Sequence, residues 1–197
     1  MKSLRHALAA VLAVGAFALA QASAAATQTA IFAGGCFWSM QHGMEDVPGV
    51  MKVVAGYTGG HVAHPTYDEV TTETTGHYES VLVTYDPAKI SYAQLVYRYF
   101  HLTDPTDGNG QFCDQGPSYH PAIFVADPVQ RAAAQGQKAR IAAELKGRPI
   151  ATAILPAQTF WPAEGYHQDY ARRNVAAYTA YRIGCGRDAA LAAVWRR

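Results

Sequence analysis

Cys36 lies in the stretch Gly34-Gly35-Cys36-Phe37-Trp38, behind two glycines and ahead of two aromatic rings. The nucleophilic form of cysteine is the thiolate, which is favoured where unpaired backbone N–H groups and the positive end of a helix dipole face the sulfur. Phe37, Met40 and Met44 recur at helical spacing until Pro48-Gly49 stops the pattern, so Cys36 is expected at a helix start. The glycines permit a tight turn and leave one side of the sulfur open. Phe37 and Trp38 offer an apolar wall. A small buried hydrophobe at a strand-to-helix turn accounts for the same cysteine equally well, so local context leaves both readings open.

Glu79 is the second candidate. Period-two alternation over Tyr78 to Tyr85 places Glu79, Val81, Val83 and Tyr85 on one strand face, where desolvation of the carboxylate raises its pKa towards that of a general acid. Such an acid beside a sulfur nucleophile can protonate a developing oxygen anion. A strand-end carboxylate leaning into water is the commoner situation, and the strand pattern alone does not decide against it.

The elements that must position these groups read as one α+β unit. Strands are expected over Thr27 to Ala33, Val50 to Tyr57, Tyr78 to Tyr85, Pro121 to Ala126 and Ile150 to Leu155. A helix behind Ser91 carries the capping pair Ser91 and Gln94. Another starts at Asp127-Pro128 with Gln130 as partner and stops at Gly147, and a last major helix is read over Tyr166 to Tyr181. Residues 61–76 and Leu102 to Ser118 read as loops, the second long enough to imply function. Gly184-Cys185-Gly186 reads as a hinge, followed by a short terminal helix over Ala189 to Trp195.

The ends and charge bound the class. Lys2 and Arg5, an apolar run from Ala7 to Ala20 and Ala22-Ser23-Ala24 make a secretory signal peptide over residues 1–24, leaving a single domain over 25–197 that is periplasmic or secreted. Without Lys2 and Arg5 the 16 basic side chains fall to 14 against 15 acidic ones, with no basic run, which argues against nucleic-acid and anionic-membrane partners. The three cysteines, Cys36, Cys113 and Cys185, then face an oxidising compartment in an odd number, too few for a disulfide scaffold. At least one thiol stays outside any intramolecular pair, and reactivity is a reason for it.

Taken together, the motifs resemble one family. Gly34-Gly35-Cys36-Phe37-Trp38 looks like the nucleophile motif of the A-type peptide methionine sulfoxide reductases. Val47-Pro48-Gly49-Val50, Gly56-Tyr57-Thr58-Gly59-Gly60, Pro65-Thr66-Tyr67, Thr75-Gly76-His77 with Glu79, Tyr85-Asp86-Pro87, and Pro162-Ala163-Glu164 with Tyr166-His167-Gln168 follow in family order. The resemblance implies a two-layer α+β sandwich, ferredoxin-like at its centre, with a mixed or antiparallel sheet and long loops. It implies Cys36 as the nucleophile on the sulfoxide sulfur, Phe37 and Trp38 against the substrate methyl group, and Glu79 as the acid towards the oxygen. Tyr67 and Tyr119 are implied as further donors to that oxygen, and Asp114 as the residue orienting the loop. Cys185 matches the resolving cysteine that would pair with the Cys36 sulfenic acid.

A thioredoxin-like protein would then reduce the disulfide by exchange. Substrates on this reading are oxidised methionine residues in proteins, or free methionine sulfoxide of the S epimer. No cofactor and no metal are expected, since His61, His64, His77, His120 and His167 form no metal-binding spacing. A monomer is expected. Two departures stand out. Gly116-Pro117-Ser118-Tyr119-His120-Pro121 replaces the family's Gly-Thr-Gln-Tyr before Arg-Ser, and Cys113 sits beside Asp114, as a loop thiol or a second resolving thiol. A general thiol peroxidase and a degenerate member that binds oxidised methionine without turnover remain as alternatives.

Overall fold

The structure is a computed structural model and describes residues 26–196. The signal-peptide reading of residues 1–24 falls outside them. Among the described residues no helix is long and apolar enough to cross a membrane.

The chain runs β1 (Gln28–Ala33), α1 (Phe37–Glu45), β2 (Val50–Thr58), α2 (Tyr67–Val70), β3 (Tyr78–Tyr85) and α3 (Tyr92–His101). A small hairpin of β4 (Gly110–Gln111) and β5 (Asp114–Gln115) and a 3-10 turn at Pro117–Tyr119 come next, then β6 (Ala122–Val125), α4 (Pro128–Glu144), β7 (Ala153–Pro156) and β8 (Trp161–Pro162). The chain ends with α5 (Tyr170–Arg173), α6 (Val175–Gly184) and α7 (Arg187–Trp195). The large sheet has the order β7-β6-β1-β3-β2-β8, antiparallel throughout except for the parallel β6 and β7 pair. Its centre, β6-β1-β3-β2 with α1 and α3 as crossovers, is the ferredoxin-like arrangement, α+β in class. One face is packed by Phe32, Val81, Val83 and Tyr85 against Met40 and Met44 of α1 and Leu95, Tyr99 and Phe100 of α3.

Local chemistry accounts for the elements. Ser91 accepts from the Gln94 N–H while Gln94 accepts from the Ser91 N–H, a reciprocal cap that starts α3. Asp127 caps α4 through the Gln130 N–H at 2.7 Å, and Pro128 needs no N–H partner at that position. Four readings change. Residues 61–76 contain α2, begun by a Thr66 and Glu69 capping box. Residues 102–118 hold the β4 and β5 hairpin and the 3-10 turn. The last helix starts later and is broken at Asn174, because Asp169 takes the left-handed conformation before α5 and the backbone leaves the helical region again at Asn174 (φ −129°, ψ 52°). The hinge also tightens: Cys185 closes α6 in helical conformation, and only Gly186 (φ 65°) turns before α7.

Candidate active site

The turn from β1 into α1 places Cys36 as the residue immediately before the first helical one. Gly34 and Gly35 serve close approach rather than openness. A Cβ on Gly34 would lie 2.7 Å from the Thr103 side chain, and one on Gly35, which has φ 75°, would lie 2.6 Å from Cβ of Gln111. The loop after α3 therefore closes over the sulfur, and Cys36 is only 7% exposed.

Two carboxylates lie at the first N–H groups of the helix. Glu79 on β3, 2% exposed, accepts from the Phe37 N–H at 2.9 Å. Asp114 on β5 accepts from the Tyr181 hydroxyl at 2.5 Å and lies near enough to the Cys36 N–H for that group to lower its pKa. The helix start thus stabilises acids first, and its benefit to the sulfur is small. Burial, reinforced by the nearby Glu79 and Asp114 charges, pushes the Cys36 thiol well above its usual range, against contacts with the Tyr181 hydroxyl and the Trp38 N–H. Helix position favours the thiolate, but burial and the two carboxylates around the sulfur oppose it. Burial likewise pushes the Glu79 carboxyl up to about 8, against the Phe37 and Tyr119 hydrogen bonds, and the charges of Asp114 and Glu73 add to the rise. At neutral pH the site therefore holds a thiol and a carboxylic acid side by side.

Tyr67 and Tyr119 converge on this pair. The Tyr119 hydroxyl lies close enough to Glu79 and Tyr67 to lower both of their pKa values. Burial, with the charges of Glu79 and Cys36, pushes Tyr67 up to about 12, so its proton stays on. The altered loop serves this placement. Pro117 opens the 3-10 turn, where no N–H is required, and Ser118 gives both its N–H and its hydroxyl to Glu73 at 2.8 Å each, fastening the turn beside Tyr119. Tyr67 is held from behind by Glu164, which accepts from the Tyr67 N–H and the Tyr57 hydroxyl, both at 2.8 Å.

Phe37 and Trp38 form an aromatic wall with residues that the sequence reading did not assign. Trp38 lies parallel to Tyr170 with ring centroids 3.7 Å apart, and its Nε1–H donates to His167 Nδ1 at 3.0 Å. His167 also packs on Phe37 at 4.9 Å and on Tyr67 at 4.4 Å. Burial pushes the His167 imidazole below its usual range, which keeps it neutral and able to accept from Trp38. Tyr181 stands edge-on to Trp38 and reaches Asp114 and the Cys36 sulfur. The signal for His167 was the Tyr166-His167-Gln168 motif; Tyr170 and Tyr181 carry no local mark.

The cysteines pair differently from the expectation. Cys113 and Cys185 form a disulfide with an S–S distance of 2.03 Å, and Cys36 is free. Cys113, exposed in the turn between β4 and β5, is therefore not a loose loop thiol. Cys185 is positioned at the C-terminus of α6, four residues after Tyr181, so the helix that brings Tyr181 to Cys36 also brings Cys185 to Cys113. Asp114 adjoins both groups. Its neighbour Cys113 is in the disulfide, and its carboxylate lies near the Cys36 N–H. Of the remaining histidines, His77 is engaged by the Gly60 N–H at 3.1 Å and the Val62 carbonyl at 2.7 Å, and His64 packs on Trp161.

Residues 28–197 match the family model described as peptide methionine sulfoxide reductase. A relative named peptide methionine sulfoxide reductase MsrA 2, from Caulobacter vibrioides, is 60% identical over 196 residues, 99% of each chain. One of the same name from Rhizobium meliloti is 48% identical over 182 residues, 92% of this chain and 90% of its own. Among solved structures, methionine sulfoxide reductase A of Corynebacterium diphtheriae superposes with a TM-score of 0.67 at 33% identity, covering 75% of each chain. The reduced form of Mxr1 from Saccharomyces cerevisiae superposes with a TM-score of 0.70 at 27% identity, over 75% of this chain and 86% of its own. The thiol and acid at the start of α1, the tyrosines around them and these matches agree, and the chain belongs to the peptide methionine sulfoxide reductase family.

Proposed function

We propose that the chain reduces the S epimer of methionine sulfoxide, free or within proteins, using Cys36 as nucleophile and Glu79 as acid. The observation that carries this reading is the Glu79 carboxyl, buried and held on the Phe37 N–H beside the buried, free Cys36 thiol. The aromatic wall of Phe37 and Trp38 takes the substrate methyl group. The sulfoxide oxygen points to Glu79, Tyr67 and Tyr119, donors already in place where negative charge grows. As the Cys36 sulfur bonds to the sulfoxide sulfur, Glu79 protonates the oxygen and the thiol proton returns to Glu79. Glu79 then protonates the same oxygen a second time, the sulfoxide S–O bond breaks and water leaves. A water molecule, giving its proton to Glu79, attacks the Cys36 sulfur, the S–S bond breaks and the thioether departs. Cys36 is left as a sulfenic acid, and the methionine sulfur has gained the two electrons that Cys36 has lost.

Recycling uses the other two thiols. In the reduced enzyme Cys185 attacks the Cys36 sulfenic acid, releasing water and forming a disulfide. Cys113 then attacks the Cys185 sulfur, returning Cys36 to the thiol and leaving Cys113 joined to Cys185. The disulfide between those two, with Cys36 free, supports this order. Because Cys113 is exposed, an external dithiol protein of thioredoxin type can reach it and restore both thiols by exchange. Residues 1–24 support export to the periplasm or beyond, where a monomeric enzyme would repair oxidatively damaged proteins and draw electrons from a membrane-supplied donor.

The test compares methionine formation from the sulfoxide with peroxide consumption by the same reduced protein. Faster turnover of sulfoxide supports the reading. Peroxide turnover that outpaces it makes the chain a thiol peroxidase, and binding of the S epimer without methionine formation makes it a binding module.

A further inference from the structure

Residues of α1, α3, α6 and α7 meet around a cavity of about 170 Å³ whose lining includes Ser39, His42, Arg98, Arg182 and Arg187. Arg187 is 2% exposed, and among the described residues no carboxylate lies within ion-pair distance of it, the charges of Asp114 and Asp188 reaching it only from farther off. Its Nη2 donates to the Leu102 carbonyl at 2.6 Å and its plane lies 4.5 Å from the Phe112 ring, but its Nη1 is buried without an acceptor. His42 Nδ1, in the same lining, is also buried without a partner. A buried guanidinium with no ion pair and one nitrogen left without an acceptor is costly, and two orphaned groups at one cavity point to something that satisfies both.

The surrounding charge says what kind of group that is. Arg98 stands exposed at the cavity, with no ion pair or hydrogen bond among the described residues. Arg182 spends its nitrogens on Asp188 and the Tyr178 hydroxyl, and contributes positive potential. The one carboxylate of the lining, Asp46, is turned to Arg172 at 2.9 Å. Water would accept from one or two of these donors and bring no negative charge to the guanidinium. A compact acceptor bearing negative charge meets both needs, and several converging donors suit the oxygens of a tetrahedral anion.

We propose that this cavity binds a small tetrahedral oxyanion of the phosphate or sulfate type, with Arg187 Nη1, His42 Nδ1 and Arg98 as its donors. Three helices supply those donors, so the anion would fasten α7 to α1 and α3. The test titrates the oxidised protein with sodium phosphate, and separately with sodium sulfate, at an ionic strength held constant with sodium chloride. Isothermal titration and the melting temperature are the readouts. Saturable binding of one anion per chain, with a melting temperature that rises beyond the chloride control, is expected. His42→Phe and Arg98→Met should each weaken binding by roughly three- to tenfold, and Arg187→Met should abolish it. Arg187 also anchors Leu102, so Arg98→Met, an exposed change, keeps the test decisive should Arg187→Met fail to fold. No saturable binding, or phosphate affinity unchanged in both Arg98→Met and His42→Phe, overturns the proposal.

Discussion

Replacing Glu79 by glutamine should abolish most of the activity and, at alkaline pH, stabilise the fold. The side-chain carbonyl of the introduced amide can still accept from the Phe37 N–H, so the start of α1 keeps its partner, but no acid proton remains. Loss of a general acid costs roughly 10²- to 10⁴-fold in rate. The stability effect follows from the carboxyl, which burial moves from 4.5 to about 8. Between those values the folded chain holds a proton that the unfolded chain has released, so stability contributed by this group falls as pH rises through the window and levels off above 8. At about 1.36 kcal/mol per unit the loss is about 3 kcal/mol at pH 7 and on the order of 5 kcal/mol above pH 8. Glu79→Gln removes that loss. Urea unfolding of both disulfide-intact proteins at pH 5, 7 and 8.5 measures it, because other titrating groups cancel in the difference. The stability of the variant relative to native should climb by a few kcal/mol from pH 5 to 8.5 while its single-turnover rate at pH 7 collapses. Parallel pH curves, or a rate within threefold of native, would refute the buried-acid argument.

Tyr181→Phe removes a hydroxyl shared by Asp114 and the Cys36 sulfur, so alkylation of Cys36 by iodoacetamide should slow and single-turnover reduction fall by roughly tenfold. Trp38→Leu takes away the indole clamped by Tyr170 and His167. It should raise KM by roughly tenfold with a smaller change in kcat, measured on free methionine sulfoxide. Cys113→Ser leaves Cys185 free to stay with Cys36, so peptide mapping of the oxidised enzyme should find the Cys36 to Cys185 bond, and thioredoxin-coupled turnover should drop. Unchanged turnover and an unchanged disulfide pattern would remove Cys113 from the cycle.

The strands and capped helices were legible because each depends on neighbours in sequence. β3 with Glu79 on its buried face followed from two-residue alternation, and Ser91 with Gln94 from a spacing of three. The same logic would have found α2, since Thr66 and Glu69 repeat that spacing inside a segment read as loop. What stayed hidden depends on distant contacts. Helical position alone says that Cys36 sees unpaired N–H groups; only the fold buries the sulfur and brings Glu79 and Asp114 beside it, which together push the thiol up. Tyr170 and Tyr181 reach the site from over 130 residues away, on helices whose break at Asn174 no local pattern marks. Cysteine pairing is of the same kind: three cysteines allow three pairings, and the choice of Cys113 with Cys185 rests on α6 meeting the β4 and β5 hairpin.

The central claim is that Cys36 carries the sulfur chemistry, and one measurement addresses it directly. The fully reduced protein is mixed, without any external reductant, with the separated S and R epimers of methionine sulfoxide, alongside Cys36→Ser treated in the same way. The account predicts methionine from the S epimer in stoichiometric amount with the native enzyme, none from the R epimer, and none from Cys36→Ser. Methionine formed by Cys36→Ser, or by the native protein from the R epimer as readily as from the S, would contradict it.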